Sequence, residues 1–168
     1  ANYRLGCIYY EGKYIKKDIN KAIKYLNIAS SHNYLDANAR LVLIYSNGIH
    51  IRKDINKALY YGSLAADQNH AESQRLLGML YFLGHDVQRD FKKAIYYFEK
   101  ASNQNNVEAQ YMLGVIHYRC DFGYFDLNKA INYLTLASNQ NHALAQLLLG
   151  FIYYKKRDLN KAISYYNK

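Results

Sequence analysis

The sequence predicts an all-α chain, an α-solenoid of antiparallel helix pairs in 36-residue repeats, and three observations predict it. Leu5, Leu41, Leu77, Leu113 and Leu149 recur at a constant step of 36 residues. Within each repeat the apolar residues keep helical spacing. Glycine and asparagine stand in fixed columns where those helices must stop. Self-similarity at this period marks an array in which each unit covers its neighbour and no closed core forms. Such arrays mostly bind other proteins.

With the frame started at Ala1, the repeats are 1–36, 37–72, 73–108, 109–144 and a partial fifth, 145–168, read as one array. That exceeds the roughly three repeats a stable stack needs. Helix A occupies positions 1 to 12 of the frame. Leucine at position 5, an aliphatic at 8 (Ile8, Ile44, Leu80, Ile116, Ile152) and the column Tyr9, Tyr45, Tyr81, His117, Tyr153 share one face. Gly12, Gly48 and Gly84 end the helix, because glycine accepts the left-handed conformation of a closing residue; Cys120 holds that column in repeat 4. The small residue at position 6, Gly6 or Val42, lets a partner helix approach closely.

Helix B starts at Asp18, Asp54, Asp90 and Asp126, whose carboxylates can accept the orphan backbone donors of a first turn. Its expected buried stripe is Ala22, Tyr25, Ala29, repeated as Ala58, Tyr61, Ala65 and as Ala94, Tyr97, Ala101. It ends near Asn33, Asn69, Asn105 and Asn141, the second-choice left-handed residue. In the fifth repeat Tyr153 and Ala162 are nine residues apart, where Tyr9 and Ala22 are thirteen apart. Four residues are missing from the interhelical loop, where length is cheap to change.

Composition bounds the remaining choices. The chain has 168 residues, is 51% hydrophobic and carries a net charge of +9, which raises the question of acidic partners. No apolar run approaches the ~18 residues of a membrane span. Cys7 and Cys120 lie three repeats apart, far beyond disulfide reach. The absence of a disulfide framework favours a reducing, cytoplasmic compartment. Proline and tryptophan are absent while Tyr occurs 20 times, a bias of the kind a low-G+C genome produces. The chain opens and closes inside helical patterns, so it reads as a fragment of a longer one. Its terminal helices are expected to leave Ile8, Ile152 and the Tyr165–Tyr166 pair uncovered, a route to oligomers.

The pattern Ala-x-x-x-Leu-Gly-x-x-Tyr-x-x-Gly followed by Asp-x-x-Lys-Ala resembles the Sel-one-like repeat family, relatives of the tetratricopeptide repeat. Ser73–Ala94 and Ala109–Ala130 carry it best, and five in-register copies cover the entire chain. The resemblance implies a right-handed superhelix with helix A on the concave side and helix B on the convex side. It also implies an adaptor role in protein–protein contacts. The paired cysteines of Cys-rich bacterial members, which resemble weak β-lactam-binding enzymes, have no counterpart here. The heavy Asn, Ile, Lys and Tyr usage is similar to that of repeat proteins from giant DNA viruses.

Helix A carries a second apolar face at positions 3, 7 and 10, which a surface helix does not need. Position 7 is expected to pack between successive A helices. Positions 3 and 10 are freer and largely aromatic. Tyr3, Tyr10, Arg75, Phe82, Tyr111, Tyr118, Arg119 and Tyr154 are therefore the candidate partner-binding residues, of the types favoured at binding hot spots. The occupant expected is an extended or helical protein segment.

Two other functions compete. A column of Lys21, Lys57, Lys93, Lys129 and Lys161 offers a ridge that a phosphate backbone or acidic surface could track, although no nucleic-acid motif accompanies it and such a partner is not expected. A structural spacer within a longer solenoid is the third. An enzyme is not expected. None of the six histidines is paired at four-residue spacing, no Cys-x-x-Cys occurs, and phosphate-binding and nucleophile motifs are absent. No metal or cofactor is expected.

Overall fold

A computed structural model describes residues 1–168, which form ten α-helices, one 3-10 turn and no strands. The chain divides into two compact units, Ala1–Asp90 and Phe91–Lys168. The first holds α1 (Asn2–Glu11), α2 (Ile19–Ser31), α3 (Leu35–Asn47), α4 (Ile55–Ala66) and α5 (Ala71–Leu83). Here α1 packs on α2, α3 on α4, and α5 against both α3 and α4. The second holds α6 (Phe91–Ser102), α7 (Val107–Tyr118), the 3-10 turn Cys120–Phe122, α8 (Leu127–Asn139), α9 (Ala143–Lys155) and α10 (Leu159–Tyr166). In it α6 packs on α7, α7 on α8, α8 on α9 and α9 on α10, and α7 also touches α9. The all-α, repeated helix-pair fold is the one the periodicity predicts. Helix A starts slightly ahead of the 36-residue frame, at Leu35, Ala71, Val107 and Ala143.

The stop and start signals work as the residue types dictate. Asn33, Asn69, Asn105 and Asn141 have φ of 57°, 61°, 60° and 61°, the left-handed region that closes helix B. The side chains of Asp18, Asp54, Asp126 and Asp158 accept from the backbone N–H of Lys21, Lys57, Lys129 and Lys161. Each cap aspartate also donates its own N–H to the position 9 carbonyl. The bonds Asp18 to Tyr9 and Asp54 to Tyr45 are both 3.0 Å, and Asp158 to Tyr153 is 2.9 Å. That strap survives the four-residue loop deletion before Asp158, which explains why the deletion leaves the helix pair intact. Where Cys120 replaces the closing glycine, α7 stops at Tyr118 and the chain makes a 3-10 turn. Gly123, with φ 76°, supplies the left-handed residue later. Arg157 does the same after α9, at φ 61°.

The expected helix B stripe needs correction. Ala22, Ala58, Ala94 and Ala130 are fully buried, but Tyr25, Tyr61 and Tyr97 are only half-buried. The buried large residue lies one place further on, at Leu26, Phe98 and Leu134, each 0% exposed. This column packs against position 6. A Cβ added to Gly6 would lie 2.7 Å from Leu26 Cγ, and one on Gly114 would lie 2.5 Å from Leu134 Cγ. The tyrosines instead stack on the position 9 ring of their own repeat. Tyr9–Tyr25, Tyr45–Tyr61, His117–Tyr133 and Tyr153–Tyr165 are nearly parallel, with centroids 5.6–5.9 Å apart. The half-burial of Tyr61 and Tyr133 pushes their hydroxyl pKa values up.

The terminal faces also differ from expectation in part. Ile8 is exposed, as is Tyr166, but Ile152 is buried in the core cluster that α9 forms with α8. The uncovered apolar face of α9 is Leu144, Leu147, Phe151 and Tyr154.

Candidate functional site

The position 3 and 10 aromatics turn toward the following repeat. In the first unit Tyr3 lies against Tyr34, with centroids 4.7 Å apart, and Tyr10 packs on the cluster around Leu41 and Ile44. Arg40 of α3 reaches between them. Its guanidinium is 5.6 Å from the Tyr10 ring and beside the Tyr3 hydroxyl, which burial holds above its ordinary pKa. In the second unit Tyr111 stacks on His142, with centroids 4.6 Å apart, and burial likewise raises its hydroxyl. Tyr118 packs on the Leu134–Leu149 cluster.

The remaining candidates divide by exposure. Arg75 is half-buried and forks onto Glu72 with bonds of 2.8 and 2.6 Å, and Phe82 is half-buried. Arg119 is exposed, paired with Asp121 and 4.7 Å from the Phe122 ring. Tyr154 is 57% exposed. Within single units, Tyr3 and Tyr10 are brought together around Arg40, and Tyr118 and Arg119 border one cavity.

Three of the cavities are versions of one socket, formed by position 10, position 19 and the end of the next helix A. In the first version Tyr10, Ile19, Leu43, Ile44, Asn47 and His50 enclose about 10 Å³. The Tyr10 ring meets His50 edge-on at 6.5 Å, and Lys17 Nζ sits 5.6 Å from its centroid. One repeat later the corresponding residues are Ser46, Ile55, Met79, Leu80, Leu83 and Asp86, and they line a cavity of about 460 Å³. Arg75 stands on its wall, and Lys53 pairs with Asp86 at its edge. In the second unit Tyr118, Leu127 and Ile152 hold the same places. There the cavity is about 470 Å³, because the shortened loop before Asp158 no longer covers it. Arg119 and the exposed Phe125 line its mouth.

Sequence reasoning missed this socket. Its signal was present in the position 10 column, where Ser46 interrupts Tyr10, Phe82, Tyr118 and Tyr154. Also missed were the buried amides. Gln74 Nε2 donates to Ala66 O, joining the end of α4 to the next helix A, and Gln110 on α7 accepts at 2.8 Å from Gln140 at the end of α8, the helix B that follows it. His70 and His142 cap α5 and α9 by accepting at Nδ1, which leaves Nε2–H to donate to Asp36 and Glu108 of the preceding helix A. These histidines serve the stack. No three His, Cys, Asp or Glu side chains gather as metal ligands would, and no helix is long and apolar enough to cross a membrane.

The lysine column is engaged locally. Lys21, Lys57 and Lys161 lie 3.6, 3.5 and 3.4 Å from their cap aspartates and about 5 Å over Tyr9, Tyr45 and Tyr153.

A family model described as the Sel1 repeat matches residues 1–34, 35–70, 71–106, 107–142 and 143–168. The chain belongs to the Sel1 repeat family. Sel1 repeat proteins mediate protein–protein interactions, and the family's scaffold is typically non-catalytic. The chain is similar to a Sel1 repeat protein from Oxalobacter formigenes, with 29% identity over 99% of this chain and 69% of that one, and a TM-score of 0.87. It is also similar to a protective antigen of uropathogenic Escherichia coli displaying an SLR fold, at 25% identity and a TM-score of 0.84. That match covers 92% of this chain but only 33% of the antigen. Cysteine rich protein B of Helicobacter pylori matches 80% of this chain at 28% identity, with 96% of its own length covered and a TM-score of 0.60. No curated protein matches the sequence.

Proposed function

We propose that this Sel1 repeat chain is a non-enzymatic scaffold that holds a segment of a partner protein against its A helices. The observation that carries the proposal is the pair of open sockets, one in each unit. Each is an apolar hollow with an arginine on its border, and the second also has the rings of Tyr118 and Phe125, residue types that anchor interfaces. Arg75 borders the first, and Tyr118 with Arg119 the second. Tyr154, exposed on the same helix as Ile152, extends the second surface. Of the other candidates, Tyr3, Tyr10 and Tyr111 spend their rings on the next repeat and contribute less area to a partner.

Recognition of phosphate or acidic surfaces through the lysine column is less well supported, because Lys21, Lys57 and Lys161 already pair with aspartates. Selection of displayed random peptides on the intact chain tests the proposal. Enriched peptides should keep their affinity between low and physiological salt. A lysine ridge would instead lose affinity steeply as counterions compete. Failure to enrich any peptide sequence would remove the proposal.

A further inference from the structure

We propose that the socket beside Ser46 receives an aromatic side chain from the partner segment, supplying the ring that the array supplies for itself one repeat earlier. The inference rests on the partner-binding function proposed above. The first and second sockets of the Ala1–Asp90 unit are built from the same repeat positions, with closely matched walls: Ile19 and Ile55, Leu43 and Met79, Ile44 and Leu80. The large volume change among them is Tyr10 to Ser46, and the hollow grows from about 10 to about 460 Å³. A socket that one repeat closes with a tyrosine is shaped for an aromatic ring.

The surroundings of the ring are kept as well. Lys17 lies over the Tyr10 ring and within 3.2 Å of His50. Lys53 occupies the equivalent place, held by Asp86, which stands where His50 does. An incoming ring would therefore find a cation above it and apolar walls around it, the setting in which aromatic and cation–π contacts are strongest. Leu83 is larger and more apolar than its counterpart Asn47 and remains exposed at the rim, so a visiting side chain would bury more apolar surface than Tyr10 does. An apolar hollow of this kind left open to water gains from being filled.

The chain itself offers the test. Ser46→Tyr places the array's own ring in the socket, as in the first repeat, and should leave the thermal midpoint unchanged or raise it. The chain has two methionines, Met79 on the socket wall and Met112 outside it, so methyl-labelled methionine gives a reporter and an internal control. Titration of the intact wild-type chain with p-cresol, the tyrosine side chain as a free molecule, should shift the Met79 methyl saturably and leave Met112 still. In Ser46→Tyr the Met79 shift should vanish. Peptides selected on the wild-type chain should carry an aromatic residue and bind Ser46→Tyr at least about thirtyfold more weakly, the effect of losing one hot-spot anchor.

No Met79 shift in the wild-type chain overturns the inference, and this outcome needs no variant to fold. A Met79 shift that persists in folded Ser46→Tyr overturns it too. Peptides that bind both chains equally would refute the aromatic socket while leaving partner binding by this chain in place.

Discussion

Val42 and Gly62 face each other across α3 and α4 with the sizes of Gly6 and Leu26 exchanged. In the first repeat the small residue is on helix A and the large one on helix B, and a Cβ on Gly6 would strike Leu26 at 2.7 Å. In the second, Val42 is on helix A and glycine on helix B. A Cβ added to Gly62 would lie 2.7 Å from Leu77 Cδ2 and 3.4 Å from Val42 Cγ2. The crossing keeps one glycine and one branched aliphatic residue, with their helices exchanged. Val42 is thus one half of a compensated pair.

The exchange can be reversed experimentally. Gly62→Leu alone should overpack the site and cost about 1–3 kcal/mol. Val42→Gly alone should cost about as much through lost burial and a glycine within a helix. The double variant recreates the first repeat, where Leu26 sits beside Leu41 without strain, and should recover a large part of the sum. A double-mutant cycle from urea unfolding measures the coupling, expected at about 1 kcal/mol or more in favour of the double variant. Additive losses would show that the two positions do not share one space.

Much of this architecture was legible because its determinants are local. Capping aspartates, left-handed asparagines and a leucine step of 36 residues each act within one repeat, so they can be read along the chain. What the sequence concealed depends on which residue meets which across helices. Tyr25 looked like core because it lies on the apolar side of helix B, but stacking on Tyr9 keeps its edge at the surface while Leu26 goes inside. Counting aromatics at position 10 pointed toward a groove made of rings. Packing consumes several of those rings, and the open site lies where the ring is missing, at Ser46. Arg75 and the Tyr118–Arg119 pair border open sockets because the adjoining repeat lacks the ring, at Ser46, or the loop, before Asp158, that closes the hollow elsewhere.

The cap aspartates make stability depend on pH in the acid range. The backbone N–H of Lys21, Lys57 and Lys129, donated to Asp18, Asp54 and Asp126, holds these carboxyls below their ordinary range near ~3.9. A depressed folded-state pKa means that the folded state prefers the charged form. The stabilisation is therefore fully present above about pH 4 to 5 and is lost as pH falls through the folded values. Urea midpoints measured from pH 6 to pH 2.5 should fall in that window. Asp54→Asn should retain the cap, since asparagine caps well, and flatten the pH dependence. An unchanged slope in that variant would assign the acid sensitivity to other carboxyls.

Arg157 carries a conformational cost that glycine would remove. It occupies the left-handed region at φ 61°, is exposed, and performs after α9 the closing role that Gly12, Gly48 and Gly84 perform after α1, α3 and α5. Its backbone N–H bond to Tyr154 O does not need a side chain. Arg157→Gly should raise stability by about 0.5–1 kcal/mol, the left-handed penalty of an L-residue less the extra chain entropy of glycine. Arg157→Val should lower it, because a β-branched residue tolerates positive φ poorly. Thermal melts of the three chains should rank glycine, arginine, valine.

The same repeat position separates a packing ring from a free one. Tyr10 is enclosed by Arg40, His50 and the α3 side chains, and its removal would open the first socket. Tyr154, one of the eight candidate residues and the corresponding ring on α9, is more than half exposed. Tyr10→Ala should therefore cost about 1–2 kcal/mol, while Tyr154→Ala should stay within about 0.5 kcal/mol, as surface changes usually do. If the second socket extends over α9 as proposed, Tyr154→Ala should weaken peptides that dock beside Tyr118 and Arg119 without moving the melting midpoint. Equal destabilisation by both variants would mean that Tyr154 is held by contacts as firm as those around Tyr10, and it would then drop out of the binding surface.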